Sequence, residues 1–188
     1  MSESNTKAPP VYPHVCEVGP RDGLQNESAL VPLETKVAFI DALSASGLTE
    51  IEVGSFVRSD VIPQLADTAE VFSRIQRQEG VVYSALVPNE RGLDGAFSAS
   101  VDKISIFTAA SESFAEHNIR ASIDQSIQRF VPVVAKAHGA GLPVRGYVSC
   151  VVACPYEGRV QPSAVVDVCR RLLDIGVEGR EGRLDLDR

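Results

Sequence analysis

Short apolar runs alternate along the chain with longer stretches in which apolar residues recur at helical spacing. The short runs have the length and apolar content of buried β-strands and lie at 15–18, 50–53, 81–87, 103–107 and 143–149. After the first run, Leu33, Val37 and Ile40 fall on one face of a predicted helix. Similar spacing predicts helices at 67–78, up to residue 96, after residue 122 and at 162–175.

The helix after residue 122 carries two local signals. Ser122 and Gln125 have the spacing of a capping box, which satisfies free backbone N–H groups where a helix begins. Pro132 lies inside the same periodic stretch. Because proline lacks an N–H and clashes with the preceding turn, we expect it to kink or restart this helix.

Strand and helix therefore alternate five times, which predicts a parallel sheet with helical crossovers. Two architectures fit this order: a doubly wound open sheet and a (β/α)8 barrel. A barrel typically needs about 250 residues and eight units, whereas this chain has 188 residues. The pattern thus accounts for only the first five βα units of a barrel.

Composition narrows the class of protein. The chain has 44% hydrophobic residues and a formal net charge of −7, from 18 Lys and Arg against 25 Asp and Glu. A chain this acidic is poorly suited to a nucleic-acid backbone, which attracts clustered cations. No apolar run reaches the roughly 20 residues of a membrane span. The start of the chain has no secretory h-region, so we expect a cytoplasmic protein with reduced thiols.

We expect three segments: a disordered start at 1–10, a barrel domain at 11–177 and a divergent tail at 178–188. The tail reads EGREGRLDLDR from Glu178 and has no apolar run long enough for a sixth strand. It is either a solvated terminus or the result of a truncation or frameshift that replaced barrel sequence.

The most unusual stretch, EVGPRDGLQNE at 17–27, directly follows the first strand. In a β/α barrel, catalytic residues lie at the C-terminal ends of the strands and in the loops that follow them. Arg21 and Asp22 have that placement. A carboxylate can hold a hard divalent cation, and a guanidinium can stabilise negative charge on a substrate oxygen.

Glu52 lies in the second strand, in the segment IEVGSF. By strand alternation, Ile51 and Val53 share one face and Glu52 takes the other, which would be the barrel interior. Because an unpaired buried charge is costly, Glu52 needs a partner. Arg21, at the end of the neighbouring strand, is the expected partner.

The cysteines and histidines give weaker signals. Cys150 and Cys154 flank the end of the fifth strand, but Cys16 and Cys169 have no near partner that would complete a zinc site. We therefore interpret Cys150 and Cys154 as small buried residues in a tight loop. His14 precedes the first strand, at the bottom of a barrel, and is interpreted as structural.

Several of these strings together resemble the hydroxymethylglutaryl-CoA lyase family. They are EVGPRDGLQNE, IEVGSFV, SIDQSIQRF and RGYVSCVVACPYEG, and the likeness covers roughly residues 12–177. The resemblance implies a TIM barrel of the metal-dependent lyase and synthase superfamily. It implies cleavage of 3-hydroxy-3-methylglutaryl-CoA to acetyl-CoA and acetoacetate, a step of leucine degradation.

The resemblance also implies roles for individual residues. Arg21 and Glu52 would be catalytic, Arg21 and Gln25 would bind the acyl-CoA substrate, and Asp22 would be a ligand of Mg²⁺ or Mn²⁺. Neither nucleic acid nor membrane is an expected partner, and a homo-oligomer is compatible with the family.

Departures from the family pattern leave other readings open. The family's H-x-H metal pair, its further Asn ligand and its acid–base Cys near the end of the barrel are absent from this sequence. The alternatives are a truncated, noncatalytic remnant of such a lyase, or a related acyl-CoA aldolase or synthase. Because five strands cannot close a barrel, we expect the chain alone to be inactive and to fold poorly, with apolar barrel-interior residues facing water.

Overall fold

The computed structural model describes residues 14–177 and the backbone of 185–186. The expected disordered start at 1–10 and most of the tail at 178–188 lie outside these described residues. The strands are β1 (Cys16–Glu17), β2 (Glu50–Ser55), β3 (Val82–Leu86), β4 (Lys103–Ala109), β5 (Val144–Ser149), β6 (Ala153–Cys154), β7 (Gly158–Arg159) and β8 (Asp185–Leu186). The α-helices are α1 (Leu33–Ser44), α2 (Thr68–Arg74), α3 (Glu90–Ser98), α4 (Glu112–Ile119), α5 (Ile123–Gly139) and α6 (Pro162–Asp174).

The main sheet has the strand order β1-β2-β3-β4-β5-β8, and every neighbouring pair in it is parallel. A doubly wound sheet reverses its strand order at a switch point, whereas this order follows the chain from one edge to the other. The fold is therefore the first part of a TIM barrel, as the alternation of strands and helices predicts.

The sheet is strongly curled. Neighbouring strands lie about 4.8 Å apart, so β2 and β5 would be about 14 Å apart in a flat sheet. Arg145 on β5 nevertheless donates to Glu50 on β2 over 3.0 Å, and the Tyr147 hydroxyl reaches Glu52 over 3.0 Å. Such direct contacts across two intervening strands require the concave face to close on itself.

The two faces of the sheet differ sharply in polarity. The convex face packs on the helices through apolar side chains that are almost completely buried, among them Ile51, Val53, Tyr83, Ala85, Ile104, Ile106, Val144 and Val148. The concave face carries polar and charged side chains that are also buried: Glu50, Glu52, Ser84, Ser105, Arg145 and Tyr147. The expectation that apolar side chains fill the barrel interior is therefore wrong for the lower and middle parts of these strands and holds only near their C-terminal ends, where Leu86 and Phe107 lie.

The edge of β5 also differs from the sequence-based expectation. Asp185 and Leu186 form β8, which pairs in parallel with Tyr147 and Val148 of β5. A sixth strand was not expected, because the tail lacks an apolar run. That criterion fails here because backbone pairing of two residues needs no apolar run.

Some of the predictions about individual helices and turns are confirmed and others are wrong. The capping box of Ser122 and Gln125 is confirmed, and α5 runs through Pro132 as one helix, so the predicted restart does not occur. Helix α2 ends at Arg74, four residues before the predicted end. Helix α4 and the antiparallel β6–β7 hairpin were not predicted.

No helix in the part of the chain that the structure describes has the length and apolar character of a membrane span.

Gly54 allows the second strand to pack closely against α2. The register of β2 on β3 shifts between Glu52 and Gly54. A Cβ at residue 54 would lie 2.5 Å from Oγ1 of Thr68, whose hydroxyl accepts from the Ser55 amide over 3.1 Å. Only a residue without a side chain fits between the bulge and the helix.

We therefore expect Gly54→Ala to lower the free energy of unfolding by about 1–3 kcal/mol, the usual cost of overpacking a core. The matched control is Gly139→Ala, where a Cβ at the end of α5 would meet nothing within 4 Å. Urea unfolding of both variants measures the difference. Equal stability of the two variants would contradict this account of the bulge.

Candidate active site

A turn at the end of β1 places Arg21 and Asp22 at the mouth of the curled sheet. Residues Gly19–Gly23 form a short π-helical turn, in which the amides of Arg21 and Asp22 both donate to the Val18 carbonyl, over 3.0 and 2.7 Å. Turns of this type are rare and recur at functional sites. The turn leaves Arg21 8% exposed, while the Asp22 side chain is 54% exposed.

Glu52 organises the interior of the sheet. Its Oε1 accepts a hydrogen bond from Nε of Arg21, and its Oε2 accepts from the Ser105 hydroxyl over 2.7 Å and from the Tyr147 hydroxyl over 3.0 Å. Nη1 of Arg21 also donates to Asp22 over 2.7 Å. The ion pair between Arg21 and Glu52 that the sequence predicts is therefore present. Because Glu52 is 0% exposed, it acts on the cavity only through its neighbours.

The protonation of this cluster follows from its charges. Burial would lower the pKa of Arg21, but the Glu52 carboxylate outweighs burial and raises it. Burial, with the negative charge of Glu52, also raises the pKa of Tyr147 far above its ordinary value. Arg21 is therefore cationic and Tyr147 a neutral hydrogen-bond donor throughout the physiological range.

A cavity of about 660 Å³ opens at the C-terminal ends of the strands. Its polar wall includes Arg21, Asp22, Gln25 and Tyr147, and its apolar wall includes Leu86, Phe107, Phe114, Ile119 and Phe130. A cavity with a small polar cluster on an apolar wall is typical of a small-molecule site. Three of the four site residues that the sequence predicts thus line one cavity, and the fourth, Glu52, lies directly behind Arg21.

Gln25 contributes a polar atom that is ready for a ligand. Its Oε1 is buried and has no hydrogen-bond partner among the described residues. A buried acceptor without a donor costs free energy. A substrate hydroxyl or amide in the cavity could satisfy it.

The described residues do not fit a divalent metal. Asp22 supplies one exposed carboxylate, and one of its oxygens already accepts from Arg21. Within 14–177, no group of three or more His, Cys, Asp or Glu side chains could hold an ion. Mg²⁺ prefers six oxygen ligands, so a single carboxylate does not make a site.

A second ionic cluster lies one layer below, towards the N-terminal ends of the strands. Glu50 accepts from Lys103 over 2.9 and 3.0 Å, from Arg145 over 3.0 Å, and contacts the His14 ring over 2.6 Å. His14 thus has the structural role that the sequence predicts. Burial would raise the pKa of Glu50, but the hydrogen bonds from Lys103 and His14 and the charge of Arg145 lower it.

The two loop cysteines are both buried, as predicted. Cys150 lies at 6% exposure with a left-handed backbone, at a φ of 62°. Cys154 accepts from the Ser111 hydroxyl over 3.0 Å. Burial opposes a thiolate at Cys154, but the hydrogen bonds from Ser111 and from backbone amides lower its pKa overall. Cys154 thus joins the β6–β7 hairpin to the residue before α4, and neither cysteine lines the cavity described above.

Sequence reasoning missed Ser105 and Tyr147. Both were predicted to lie in strands, and alternation along Arg145, Tyr147 and Ser149 would have placed these three on one face. The missing information was the curl of the sheet, which brings that face against Glu52.

Comparisons with known proteins agree with the resemblance seen in the sequence. The model of the HMGL-like family matches residues 12–179. The protein of Rattus norvegicus named 3-hydroxy-3-methylglutaryl-CoA lyase, cytoplasmic, is 50% identical over 167 residues, which are 89% of this chain and 49% of that protein. A 3-hydroxy-3-isohexenylglutaryl-CoA/hydroxy-methylglutaryl-CoA lyase of Pseudomonas aeruginosa is 49% identical over 85% of this chain and 53% of its own.

The fold has a similar match among solved structures. The crystal structure of the HMG-CoA lyase from Brucella melitensis superposes with a TM-score of 0.87 and 46% sequence identity, over 91% of this chain and 59% of that one. The chain therefore spans about half the length of the curated relatives it matches.

The Glu50 cluster generates a prediction about stability. Replacing Glu50 with Gln removes the carboxylate between Lys103 and Arg145 and leaves the buried Arg145 and the partly buried Lys103 without it. We expect the free energy of unfolding at pH 7 to fall by about 3–5 kcal/mol. Glu34→Gln, which removes an exposed ion pair with Arg74, is the control and should cost less than about 1 kcal/mol.

Comparing the wild type with Glu50→Gln at several pH values tests how the stabilisation by Glu50 depends on pH. Because folding lowers the pKa of Glu50, its stabilisation is present above the unfolded pKa of about 4.3 and is lost as the pH falls through the folded value. Urea unfolding across this range should therefore show the gap between wild type and Glu50→Gln closing in acid. A gap that is constant with pH would refute the assignment.

Proposed function

The chain belongs to the HMGL-like family, and from this membership we propose that it forms the first five βα units of a hydroxymethylglutaryl-CoA lyase. The observation that carries the proposal is the cluster of Arg21, Asp22 and Gln25 around one cavity, with Glu52 buried behind Arg21. The proposed substrate is 3-hydroxy-3-methylglutaryl-CoA, and the products are acetyl-CoA and acetoacetate.

The bond changes define what the site must do. The proton of the tertiary hydroxyl leaves, the C2–C3 bond breaks, and the hydroxyl carbon becomes the ketone of acetoacetate. The electron pair of the broken bond passes to the other fragment as the enolate of acetyl-CoA, which then takes up a proton at carbon. Negative charge therefore grows on the thioester oxygen during cleavage.

Arg21 is suited to stabilise that charge. It is cationic, lies on the cavity wall and is held by Glu52 and Asp22 on its other sides. A donor fixed in a site with little water stabilises developing charge without having to reorganise. Glu52 serves the reaction by keeping Arg21 charged and in place.

Gln25 is proposed to bind the substrate. Its buried Oε1 needs a donor, and the tertiary hydroxyl of the substrate is a donor of suitable chemistry. The apolar wall of Leu86, Phe107 and Phe130 would contact the aliphatic part of the acyl chain.

A divalent metal, Mg²⁺ or Mn²⁺, is proposed for the complete enzyme, with Asp22 as one ligand. The other ligands would have to come from outside the described residues, since these contain no further metal-binding group around Asp22. The roles given to Arg21, Glu52 and Gln25 do not depend on the metal.

The wider setting of the reaction is also proposed. A place in leucine degradation follows from the proposed substrate. A cytoplasmic location is supported by the name of the rat relative. Assembly into a homo-oligomer stays a prediction.

A chimera tests the proposed activity in a complete barrel. Residues 12–177 would replace the matching segment of the Brucella melitensis enzyme, to which the fold corresponds with a TM-score of 0.87. We expect the chimera to release acetoacetate from hydroxymethylglutaryl-CoA. Arg21→Gln in this chimera should lower kcat by about 100- to 1,000-fold, because a charge that stabilises the transition state is lost.

Arg74→Gln, which removes an exposed guanidinium paired with Glu34, is the matched control and should leave kcat unchanged. A chimera that folds and binds the substrate but retains full turnover without Arg21 would disprove the assignment of Arg21. An inactive chimera with native-like circular dichroism would count against the lyase proposal itself.

For the chain by itself, we expect binding of acyl-CoA without turnover. Arg21 and Gln25 face the cavity, but the described residues hold no group of metal ligands beside it. Calorimetry with acetyl-CoA and an acetoacetate assay with Mg²⁺ measure the two properties separately. Acetoacetate formation by the purified chain would require a different catalytic group, and Cys150 and Cys154 would be the first residues to replace.

A further inference from the structure

Tyr147 makes contacts with both members of the Arg21–Glu52 pair. Its hydroxyl donates to Oε2 of Glu52 over 3.0 Å, and its ring centroid lies 5.8 Å from the guanidinium carbon of Arg21. Its ring also forms part of the cavity wall. It is buried on the fifth strand, whereas the ion pair joins the turn after the first strand to the second strand.

The geometry of the ion pair is unusual for arginine. Arginine and a carboxylate commonly pair side by side through two parallel hydrogen bonds. Here Arg21 meets Glu52 through Nε and turns Nη1 to Asp22. The second oxygen of Glu52 is occupied by the hydroxyls of Ser105 and Tyr147, over 2.7 and 3.0 Å.

We propose that Tyr147, together with Ser105, is a positioning residue that holds Oε2 of Glu52 away from Arg21 and so keeps the terminal guanidinium nitrogens available to the cavity. The contact network stands on the structure alone; the identity of the ligand that uses it, an acyl-CoA thioester, rests on the proposed function. Removing the two hydroxyls would leave Oε2 buried without its donors. The carboxylate would then turn to Arg21 and take a second N–H group.

Two further features support this role. The pKa of Tyr147 is raised by burial and by the negative charge of Glu52, so its hydroxyl stays a donor. The ring lies beneath the guanidinium at a distance suited to a cation–π contact, which limits movement of Arg21 towards β5. Hydroxyl and ring thus fix the acceptor and the donor of the same pair.

The chain contains a matched tyrosine on the opposite face of the sheet. The Tyr83 hydroxyl donates to Ser44 and accepts from the Gln78 amide, each over 2.9 Å, and the Arg77 guanidinium lies 5.6 Å from its ring centroid. Arg77 pairs with Asp102, which the Tyr83 hydroxyl does not contact in this arrangement. Tyr83→Phe therefore removes a buried hydroxyl beside an arginine without touching the partner of that arginine.

The test measures the reactivity of Arg21 in the full chain. Wild type, Tyr147→Phe, Ser105→Ala, the double variant and Tyr83→Phe would be treated with phenylglyoxal, and modification of Arg21 and Arg77 followed by peptide mass spectrometry. We expect Arg21 modification to slow by about fivefold or more in the double variant, since a second N–H group becomes engaged in a hydrogen bond to a charged partner. Each single variant should show part of this effect, and Arg77 should keep its wild-type rate in all of them.

If the two hydroxyls had only a structural role, the double variant would change the rate of Arg21 modification in the opposite direction. Loosening of the site would speed the modification of Arg21, so an unchanged or faster rate in the double variant would overturn the proposal. If Tyr147→Phe unfolds, as seen by circular dichroism, the smaller change Ser105→Ala decides the sign in its place.

Acetyl-CoA binding provides the second readout. We expect the double variant to bind about fivefold more weakly than wild type, because fewer guanidinium N–H groups face the cavity. Tyr83→Phe should bind as wild type does. If wild type itself does not bind acetyl-CoA, the proposed function fails for this chain, while the rates of Arg21 modification still decide the positioning role.

Discussion

A buried carboxylate is stable only where donors surround it, and this requirement shapes the inner face of the sheet. Glu52 is completely buried and takes its donors from three strands or their loops: Arg21, Ser105 and Tyr147. These groups can meet only if the sheet curls enough to bring β5 over β2. An unpaired charge in that position would cost several kcal/mol, so the curl and the polar network stabilise each other.

The polar network on the concave face has two layers with different roles. The lower layer joins Glu50 to Lys103, Arg145 and His14 and closes the N-terminal end of the curled sheet. The upper layer joins Glu52 to Arg21 and opens onto the cavity. Below, the charge of Glu50 is compensated by Lys103 and Arg145, while above it the Arg21 guanidinium faces the cavity. This division explains how the concave face buries charged side chains and still presents one of them to the cavity.

The polar interior also bears on the expectation that five strands of a barrel fold poorly by themselves. Most of the apolar packing lies in the layer between the sheet and the helices, where Ile51, Ile104 and Val148 are buried. The concave face satisfies itself through ion pairs and hydroxyl bonds within the first five strands. What still opposes folding is therefore the unpaired backbone at the edges of the sheet. β8 covers part of one edge by pairing with β5.

Sequence alone determined the order of strands and helices, the parallel sheet and the placement of Arg21 and Asp22 after the first strand, because each depends on residues close together in the chain. Strand alternation also placed Glu52 inside and required a partner for it, and Arg21, at the end of the neighbouring strand, was the expected one. Tertiary structure decided what depends on distant residues. Tyr147 reaches Glu52 across 95 residues of sequence, and no local pattern encodes the curl that joins them. The expectation of an apolar barrel interior failed for the same reason, because it depended on contacts between distant residues. The polar residue types were visible in the sequence, but which of them bond to one another is decided only when the strands come together.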